Sequence, residues 1–278
     1  MVINKVGIVV NPKKKDALKI LRKLTKWLEV RKIKVINDLF IPRERIPSLV
    51  DLIIVLGGDG TLLSVAHFVK KRAVPILGVN LGGLGFLTEV TLTELDGSLK
   101  EMLKGNYRVC ERAMLKTTVI SGNKVRGRYL ALNDIVVAKG ALSRIVALRL
   151  HIDGEFITSY MCDGLIVSTS TGSTAHSLSA GGPIVYPALD ATVITPICPH
   201  TLSNRPLIID NKSMIGISIA PGTEAREVAL TIDGQVGLKL NPRDIVNVTK
   251  APHKVSLIGS MDRSYFQILR EKLGWGGR

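Results

Sequence analysis

Cysteine is scarce in this sequence. The three residues, Cys110, Cys162 and Cys198, lie far apart in a chain of 278. That spacing argues against a disulfide framework and a zinc site, and it suggests a reducing cytoplasm. Cys198-Pro199-His200 could form half of a metal site, but no second half accompanies it. Aromatic residues make up only 4% of the chain. No basic stripe is interleaved with stacking rings, so nucleic acid is not an expected partner. No apolar run is long enough to span a bilayer, and no membrane association is expected. The first residues run directly into a strand-like pattern without a signal-peptide layout, and a cytoplasmic location is expected.

What is present points to a folded, anion-attracting protein. Hydrophobic residues account for 46% of the chain, enough for a sizeable core. Thirty-eight Lys and Arg stand against 23 Asp and Glu, a net charge of +15. Such an excess attracts anions: nucleic acid, an anionic membrane or phosphorylated small molecules.

The N-terminal part alternates strands and helices. Strands are expected at 6–10, 34–39, 52–56 and 76–79, and helices at 16–30 and 61–71. In the first helix Leu18, Leu21, Leu24 and Leu28 recur at helical spacing among Lys and Arg. Alternation of this kind implies a parallel sheet covered by helices. From Tyr107 onward the segments are short and strand-like: 115–120, 128–138, 144–152, 165–168, 213–219, 227–232 and 245–248. "HIDGEF" (151–156) and "TIDGQV" (231–236) each place Asp-Gly after an alternating run, a hairpin signal. A closing helix is expected over 262–273, with Asp262 as its N-cap and Gly274 as its stop. The expected fold is an α/β N-terminal domain with a Rossmann-like parallel sheet, followed by an all-β, sandwich-like domain: α+β overall. The expected boundaries are 1–98 for the first, with the tail 260–278 packing back on it, and 99–259 for the second.

The most informative stretch is "VLGGDGTLLSVAHF", 55–68. A buried strand ends in Gly57-Gly58-Asp59-Gly60 and leads into a helix. Ligands of open α/β sheets bind beyond the carboxyl ends of strands. Glycine amides and a helix N-terminus suit phosphate. A carboxylate there repels phosphate unless it has another task, such as accepting a proton from an attacking hydroxyl or holding a divalent metal. The plainer alternative makes Asp59 a turn residue and Thr61 the helix N-cap. No P-loop signature occurs. A second glycine-rich loop, "NLGGLGFLTE" (80–89), follows the next strand.

"GGDGTLL" resembles the signature of a kinase superfamily that includes NAD kinases, diacylglycerol and sphingosine kinases and, more distantly, 6-phosphofructokinases. Further segments resemble NAD kinases in particular, in order along the chain: "NLGGLGFLTE", "LNDIVV" (132–137), "DGLIVSTSTGSTAHSLSAGGPIV" (163–185), "TPICPHTLSNRPL" (195–207), "IDGQ" (232–235) and "SYFQILREKLGW" (264–275). The resemblance implies ATP- or polyphosphate-dependent phosphorylation of the adenosine ribose 2′-hydroxyl of NAD, giving NADP. It also implies a homodimer or homotetramer, and Mg²⁺ or another divalent cation that travels with the donor, with no metal held by protein alone.

By the same resemblance Asp59 is the catalytic base. Gly57, Gly58, Gly60, Thr61 and Asn80 belong to its nucleotide-binding surroundings. Asn133 and Asp134 match a pair that binds the nicotinamide end of the substrate or its ribose. Arg144, Asp163 and the run Thr174, Ala175, His176, Ser177, Leu178, Ser179 match further NAD-contacting positions, and Gln235 matches the glutamine of Asp-Gly-Gln. Taken alone, Asn133 and Asp134 read better as the polar face of a strand and Arg144 better as a solvated charge, while the 168–177 segment reads equally as a plain loop. The sequence departs from the family where His176 replaces Tyr and Ser170 replaces Pro. His176 is expected to stack on adenine with less area than Tyr. Two rivals remain at this point. A membrane-surface lipid kinase would use Lys13–Trp27 as a basic amphipathic helix. A non-catalytic dinucleotide-binding regulator would not need Asp59.

Overall fold

The computed structural model describes residues 3–69, 74–140, 144–201, 203–223 and 227–275. The chain begins β1 (Lys5–Val10), α1 (Ala17–Glu29), β2 (Lys34–Asn37), α2 (Ile46–Leu49), β3 (Leu52–Gly57) and α3 (Asp59–Ala66). It continues β4 (Ile76–Asn80), β5 (Val90–Thr91), α4 (Leu95–Leu103) and β6 (Arg108–Arg112). A long β segment follows: β7 (Leu115–Ser121), β8 (Lys124–Ala131), β9 (Asp134–Lys139), β10 (Val146–Ile152), β11 (Glu155–Cys162) and β12 (Gly164–Thr169). After the short α5 (His176–Ser179) come β13 (Ala191–Ile197), β14 (Leu207–Asp210), β15 (Ile215–Ile219), β16 (Val228–Ile232), β17 (Val236–Leu240) and β18 (Asp244–Lys250). The last elements are β19 (Val255–Gly259) and α6 (Tyr265–Leu273).

These elements form two compact units, residues 1–111 with 255–278, and residues 112–254. The sequence places the divisions at 98/99 and 259/260. The structure differs because Leu95, Leu99 and Met102 of α4 lie in the first unit's core, and because β19 joins the first unit's sheet.

In the first unit the strand order is β2-β1-β3-β4-β19-β6, with β5 on β4. The pairings of β1 with β2 and β3, of β3 with β4, and of β4 with β5 and β19 are parallel. β3 is buried from end to end, as expected for a strand covered on both faces. Its alternation divides the core. Val6, Ile8, Leu52, Ile54, Leu56 and Leu77 meet α1 and α4 on one face. Gly7 and Gly78 face the other way, where a Cβ would run into Ile46 and Val50 or into Leu62 and Thr88.

Helix α1 spends its apolar stripe on this sheet: Ala17, Leu21, Leu24 and Leu28 are buried. Leu18, expected in the stripe, is 41% exposed, and Ala17 takes the inward place. Each buried leucine contributes about 1.5–3 kcal/mol. A helix so docked cannot turn the same face to lipid, which removes the support for a membrane-surface kinase. At the C-terminus, α6 begins at Tyr265 and not at Asp262. Ser264 Oγ accepts the Gln267 N–H (3.3 Å) and the Ser264 N–H donates to Gln267 Oε1 (2.7 Å), a capping box. Gly274 ends the helix at φ 67°, as expected.

The second unit is a sandwich of two antiparallel six-stranded sheets, β11-β10-β15-β18-β7-β8 and β14-β13-β12-β9-β16-β17. Both contribute to one core, with Val119, Leu148, Ile217 and Val246 from the first and Ile135, Leu165, Ile194 and Leu230 from the second. The two Asp-Gly pairs form the expected hairpins. Positive φ at Asp153, Gly154, Asp233 and Gly234 gives turns whose twist matches that of paired strands.

The expected strand over 128–138 is two strands in different sheets. β8 pairs with β7, whereas β9 pairs with β12 and β16. The chain crosses at Leu132-Asn133, and the reason lies in the turn at Asp233. Its carboxylate accepts the N–H groups of Leu132 (2.9 Å), Asn133 (2.9 Å) and Asp134 (2.9 Å). A carboxylate that takes three backbone donors replaces the ladder bonds lost at the crossing.

Candidate active site

In the first unit the site forms where β3 ends. Gly58 caps α3 in an extended conformation, and the helix begins at Asp59, so Thr61 is inside the first turn and is not the N-cap. Gly57 is required by space, because a Cβ there would lie 2.4 Å from Thr61 Oγ1. Gly58 and Gly60 are not so constrained: a Cβ on either would enter open space. Helix α3 ends at Ala66, and residues 70 and 71 of the expected helix lie outside the described residues.

The Asp59 carboxylate is held by the second glycine-rich loop. Oδ2 accepts the Phe86 N–H (2.8 Å). Oδ1 accepts the Leu87 N–H (3.1 Å), the Thr88 N–H (2.9 Å) and the Thr88 hydroxyl (2.8 Å). Asn80 is buried and completes the relay, donating Nδ2 to Thr88 Oγ1 (2.7 Å) and accepting the Gly82 N–H at Oδ1 (2.8 Å). Gly85 makes this seat possible, because a Cβ there would lie 2.2 Å from Asp59 Oδ1. Three donors occupy Oδ1 and one occupies Oδ2, so Oδ2 keeps the capacity to take a proton from a hydroxyl.

In the second unit, Asn133 and Asp134 stand at the crossing that Asp233 braces. Asp134 is fully buried. Its Oδ1 lies 3.0 Å from His176 Nδ1, and its Oδ2 has no hydrogen-bond partner among the described residues. Burial pushes the Asp134 carboxyl above the usual range, while the imidazole pulls it back. The same hydrogen bond raises the His176 pKa above its ordinary value, against a smaller effect of burial. The ring stands beside the Gly234 turn, with Cε1 3.3 Å from where a Cβ on Gly234 would be.

The 168–177 segment is pinned down. Gly172 approaches so closely that a Cβ would sit 2.1 Å from the Asn133 carbonyl oxygen. Thr169 Oγ1 donates to the Leu132 carbonyl (2.7 Å) and accepts the Gly172 N–H (2.9 Å). Ser170, where the family has Pro, donates to the carbonyls of Leu189 (2.5 Å) and Ala191 (3.1 Å). Ser173 Oγ lies 2.7 Å from the Ser170 carbonyl, and Ser177 Oγ 2.8 Å from Thr195 Oγ1. Most of the loop's hydroxyls therefore brace the protein. Thr174, Ala175 and Leu178 are half-buried, and His176 and Ser179 are exposed.

The structure does not bring every expected residue to this end. Along β9 and β12, Asp134 pairs with Ser168 and Ala138 with Gly164. Asp163, bridged to Lys139 (3.5 Å), is thus at the opposite end of the strands, about 16 Å away at ~3.3 Å per residue. Arg144 lines a surface groove with Lys139 at that far end. Gln235 follows Gly234 and stays with the Asp134–His176 end; its N–H donates to the Ile232 carbonyl (2.9 Å).

The family model for the ATP-NAD kinase N-terminal domain matches residues 42–107, and that for the ATP-NAD kinase C-terminal domain matches residues 132–260. The NAD kinase of Geotalea daltonii is 52% identical, over 85% of this chain and 82% of that protein. The NAD kinase of Syntrophotalea carbinolica is 46% identical, over 99% of this chain and 100% of that protein. The chain belongs to the NAD kinase family. Among solved structures, yeast NADH kinase complexed with NADH matches with a TM-score of 0.91 at 28% identity, covering 100% of this chain and 89% of that one. An NAD kinase from Archaeoglobus fulgidus in complex with ATP shares the fold, with a TM-score of 0.79 at 24% identity, over 97% of this chain and 98% of that one.

In this NAD kinase family chain the residues that sequence reading missed are supports. Asp233 appears in the sequence only as a turn residue. Its signal is an aspartate at a hairpin tip directly after a buried strand. Gly85, Thr88 and Gly172 are hidden in glycine- and hydroxyl-rich loops, where composition does not say which glycine is sterically required.

Proposed function

We propose that this chain transfers the terminal phosphoryl group of ATP, or of polyphosphate, to the 2′-hydroxyl of the adenosine ribose of NAD, forming NADP. The observation that carries the reading is the seating of Asp59, a lone carboxylate in a glycine loop with one oxygen held by three donors and the other left able to accept. In the transfer, the 2′-oxygen bonds to the γ-phosphorus, the bond to the ADP oxygen breaks, and the hydroxyl proton passes to Asp59 Oδ2. A positioned base of this kind is worth about 10²–10⁴-fold in rate. The amides around Gly58 and Gly60 receive donor phosphate oxygens, where a helix N-terminus adds favourable partial charge. Thr61 lines that helix turn, and Asn80 acts on Asp59 through Thr88.

In the second unit, Asn133 and Asp134 receive the nicotinamide end of NAD or its ribose. Thr174–Ser179 and Gln235 contact the dinucleotide, as do Arg144 and Asp163 at the far end of the strands. His176 offers its ring to adenine while Asp134 fixes its plane.

A divalent cation fits the donor set. Asp59 is the one carboxylate of the glycine loop, and Mg²⁺ would be carried mainly by phosphate oxygens beside it. Bound there, it would neutralise charge on the transferring phosphate. No helix among the described residues is long and apolar enough to cross a membrane. We place the enzyme in the cytoplasm as a homodimer or homotetramer.

The test is purified protein with NAD, ATP and Mg²⁺, and NADP read by an NADP-specific dehydrogenase. NADP should form, should stop with a chelator and should resume with added Mg²⁺. Absence of NADP from folded protein under these conditions, with ATP or polyphosphate, would refute the reading.

A further inference from the structure

The segment that seats Asp59 is itself gripped by the C-terminal tail, and every group involved belongs to the first unit. Residues 86–88 supply all four donors to the Asp59 carboxylate. The next residue, Glu89, is buried, and its Oε2 accepts the Ser260 N–H (2.8 Å) with Arg108 Nη2 3.7 Å away. Arg263 Nη1 donates to the Glu89 carbonyl (3.3 Å) and to Glu94 Oε2 (2.9 Å), and its Nη2 donates to Glu94 Oε1 (2.5 Å). Glu94 in turn accepts the Thr91 N–H (2.9 Å). Arg108 ties the tail back through the carbonyls of Ser260 (3.1 Å) and Arg263 (3.3 Å). Farther along α6, the Lys272 ammonium lies 5.9 Å from the centre of the Phe86 ring.

The short strand β5 makes the grip necessary. It has two residues and, among the described residues, pairs with Val79 and Asn80 of β4. Between Asp59 and α4, the 85–94 segment thus has little ladder of its own. A bidentate guanidinium–carboxylate pair supplies both strength and direction where the ladder is short.

We propose that Arg263 is a positioning residue for phosphoryl transfer: with Glu94 and Ser260 it holds residues 86–90 in register, so that the Phe86, Leu87 and Thr88 amides keep the Asp59 carboxylate aimed. This rests on the reading of Asp59 as the base. The tail serves the reaction from a distance, through the 86–90 segment.

The experiment compares wild type, Arg263→Gln, Arg263→Lys, Glu94→Gln and Asp59→Asn in the full chain, with MgATP and NAD as substrates. Arg263→Gln should lower kcat about tenfold or more while the KM values for NAD and ATP stay within about twofold. Arg263→Lys should recover part of the loss. Hydrogen exchange should show faster exchange of the 86–88 amides in Arg263→Gln and Glu94→Gln, with β1 and β3 as protected as in wild type. A misplacement near 1 Å can cost ~10²-fold, so a tenfold fall needs only a modest shift. Unchanged kcat, or unchanged exchange at 86–88, would overturn the proposal while Asp59→Asn remains inactive. Full turnover by Asp59→Asn would instead sink the reading of Asp59. Should Arg263→Gln fail to fold, Glu94→Gln carries the same two readouts, and unchanged values there overturn the proposal.

Discussion

His176 Nδ1 lies 3.0 Å from Asp134 Oδ1, and so couples an exposed ring to a fully buried carboxylate. The sequence presents these residues 42 positions apart, one as a replacement for a stacking tyrosine and the other as a polar interruption of a strand. Together they form a hydrogen-bonded pair at one end of the second sandwich sheet. Asp233 stands behind it and holds the backbone of Leu132, Asn133 and Asp134.

The pair should make stability depend on pH in one direction. The hydrogen bond that His176 donates to Asp134 raises the His176 pKa in the folded protein above its ordinary value of 6.5. A raised histidine pKa stabilises the fold fully below the unfolded value, and the gain is lost as pH rises through the folded value. In His176→Tyr that gain is absent. The Tm of wild type minus that of His176→Tyr should therefore shrink as pH rises above the ordinary histidine value of 6.5. A difference that is flat or grows with pH contradicts an ionised His176 paired with Asp134.

Gly85→Ala tests the Asp59 seat without deleting any reacting group. The new methyl would overlap Asp59 Oδ1 and Thr88 Oγ1, at 2.2 Å and 2.3 Å. The carboxylate must turn away or the loop must lift. We expect kcat to fall about 10²-fold, with the KM for NAD nearly unchanged. Wild-type turnover in a folded Gly85→Ala protein would show that the seat does not matter.

Asp233 should prove costly to replace although it never meets the reacting atoms. Asp233→Ala strips the acceptor from three N–H groups and puts alanine at φ 48°. Lost acceptor and left-handed backbone together should cost about 2–5 kcal/mol. Asp233→Asn keeps an oxygen and tolerates the φ, and should lose less than half as much. Urea unfolding measures both, and equal losses would mean that the three hydrogen bonds contribute little.

Much of this was legible in the sequence, and for identifiable reasons. Strand–helix alternation, two Asp-Gly turns and a strand ending in Gly57-Gly58-Asp59-Gly60 are local signals, and local geometry decided them. The crossing at Leu132-Asn133 was not legible, because Asn133 and Asp134 read as the polar face of one continuous strand; what braces the crossing is a carboxylate a hundred positions away. For the same reason the reach of the first unit was misplaced. β19 enters that sheet by pairing Leu257 and Ile258 with Ile76 and Leu77, a relationship no window on the sequence contains. At the candidate site, Asp59 was visible and the groups that seat it were not. The choice of Gly85 and Gly172 depends on backbone or side chains brought near by the fold.

The most direct measurement follows the fate of labelled phosphate in a single turnover. Enzyme is mixed with saturating NAD, Mg²⁺ and γ-labelled ATP, with wild type and Asp59→Asn side by side, both checked for folding and for NAD binding. The account predicts label on the 2′-position of the NAD ribose for wild type. For Asp59→Asn it predicts a rate lower by about 10²–10⁴-fold, with NAD still bound. Label found elsewhere, or an Asp59→Asn rate within a few-fold of wild type, would contradict it.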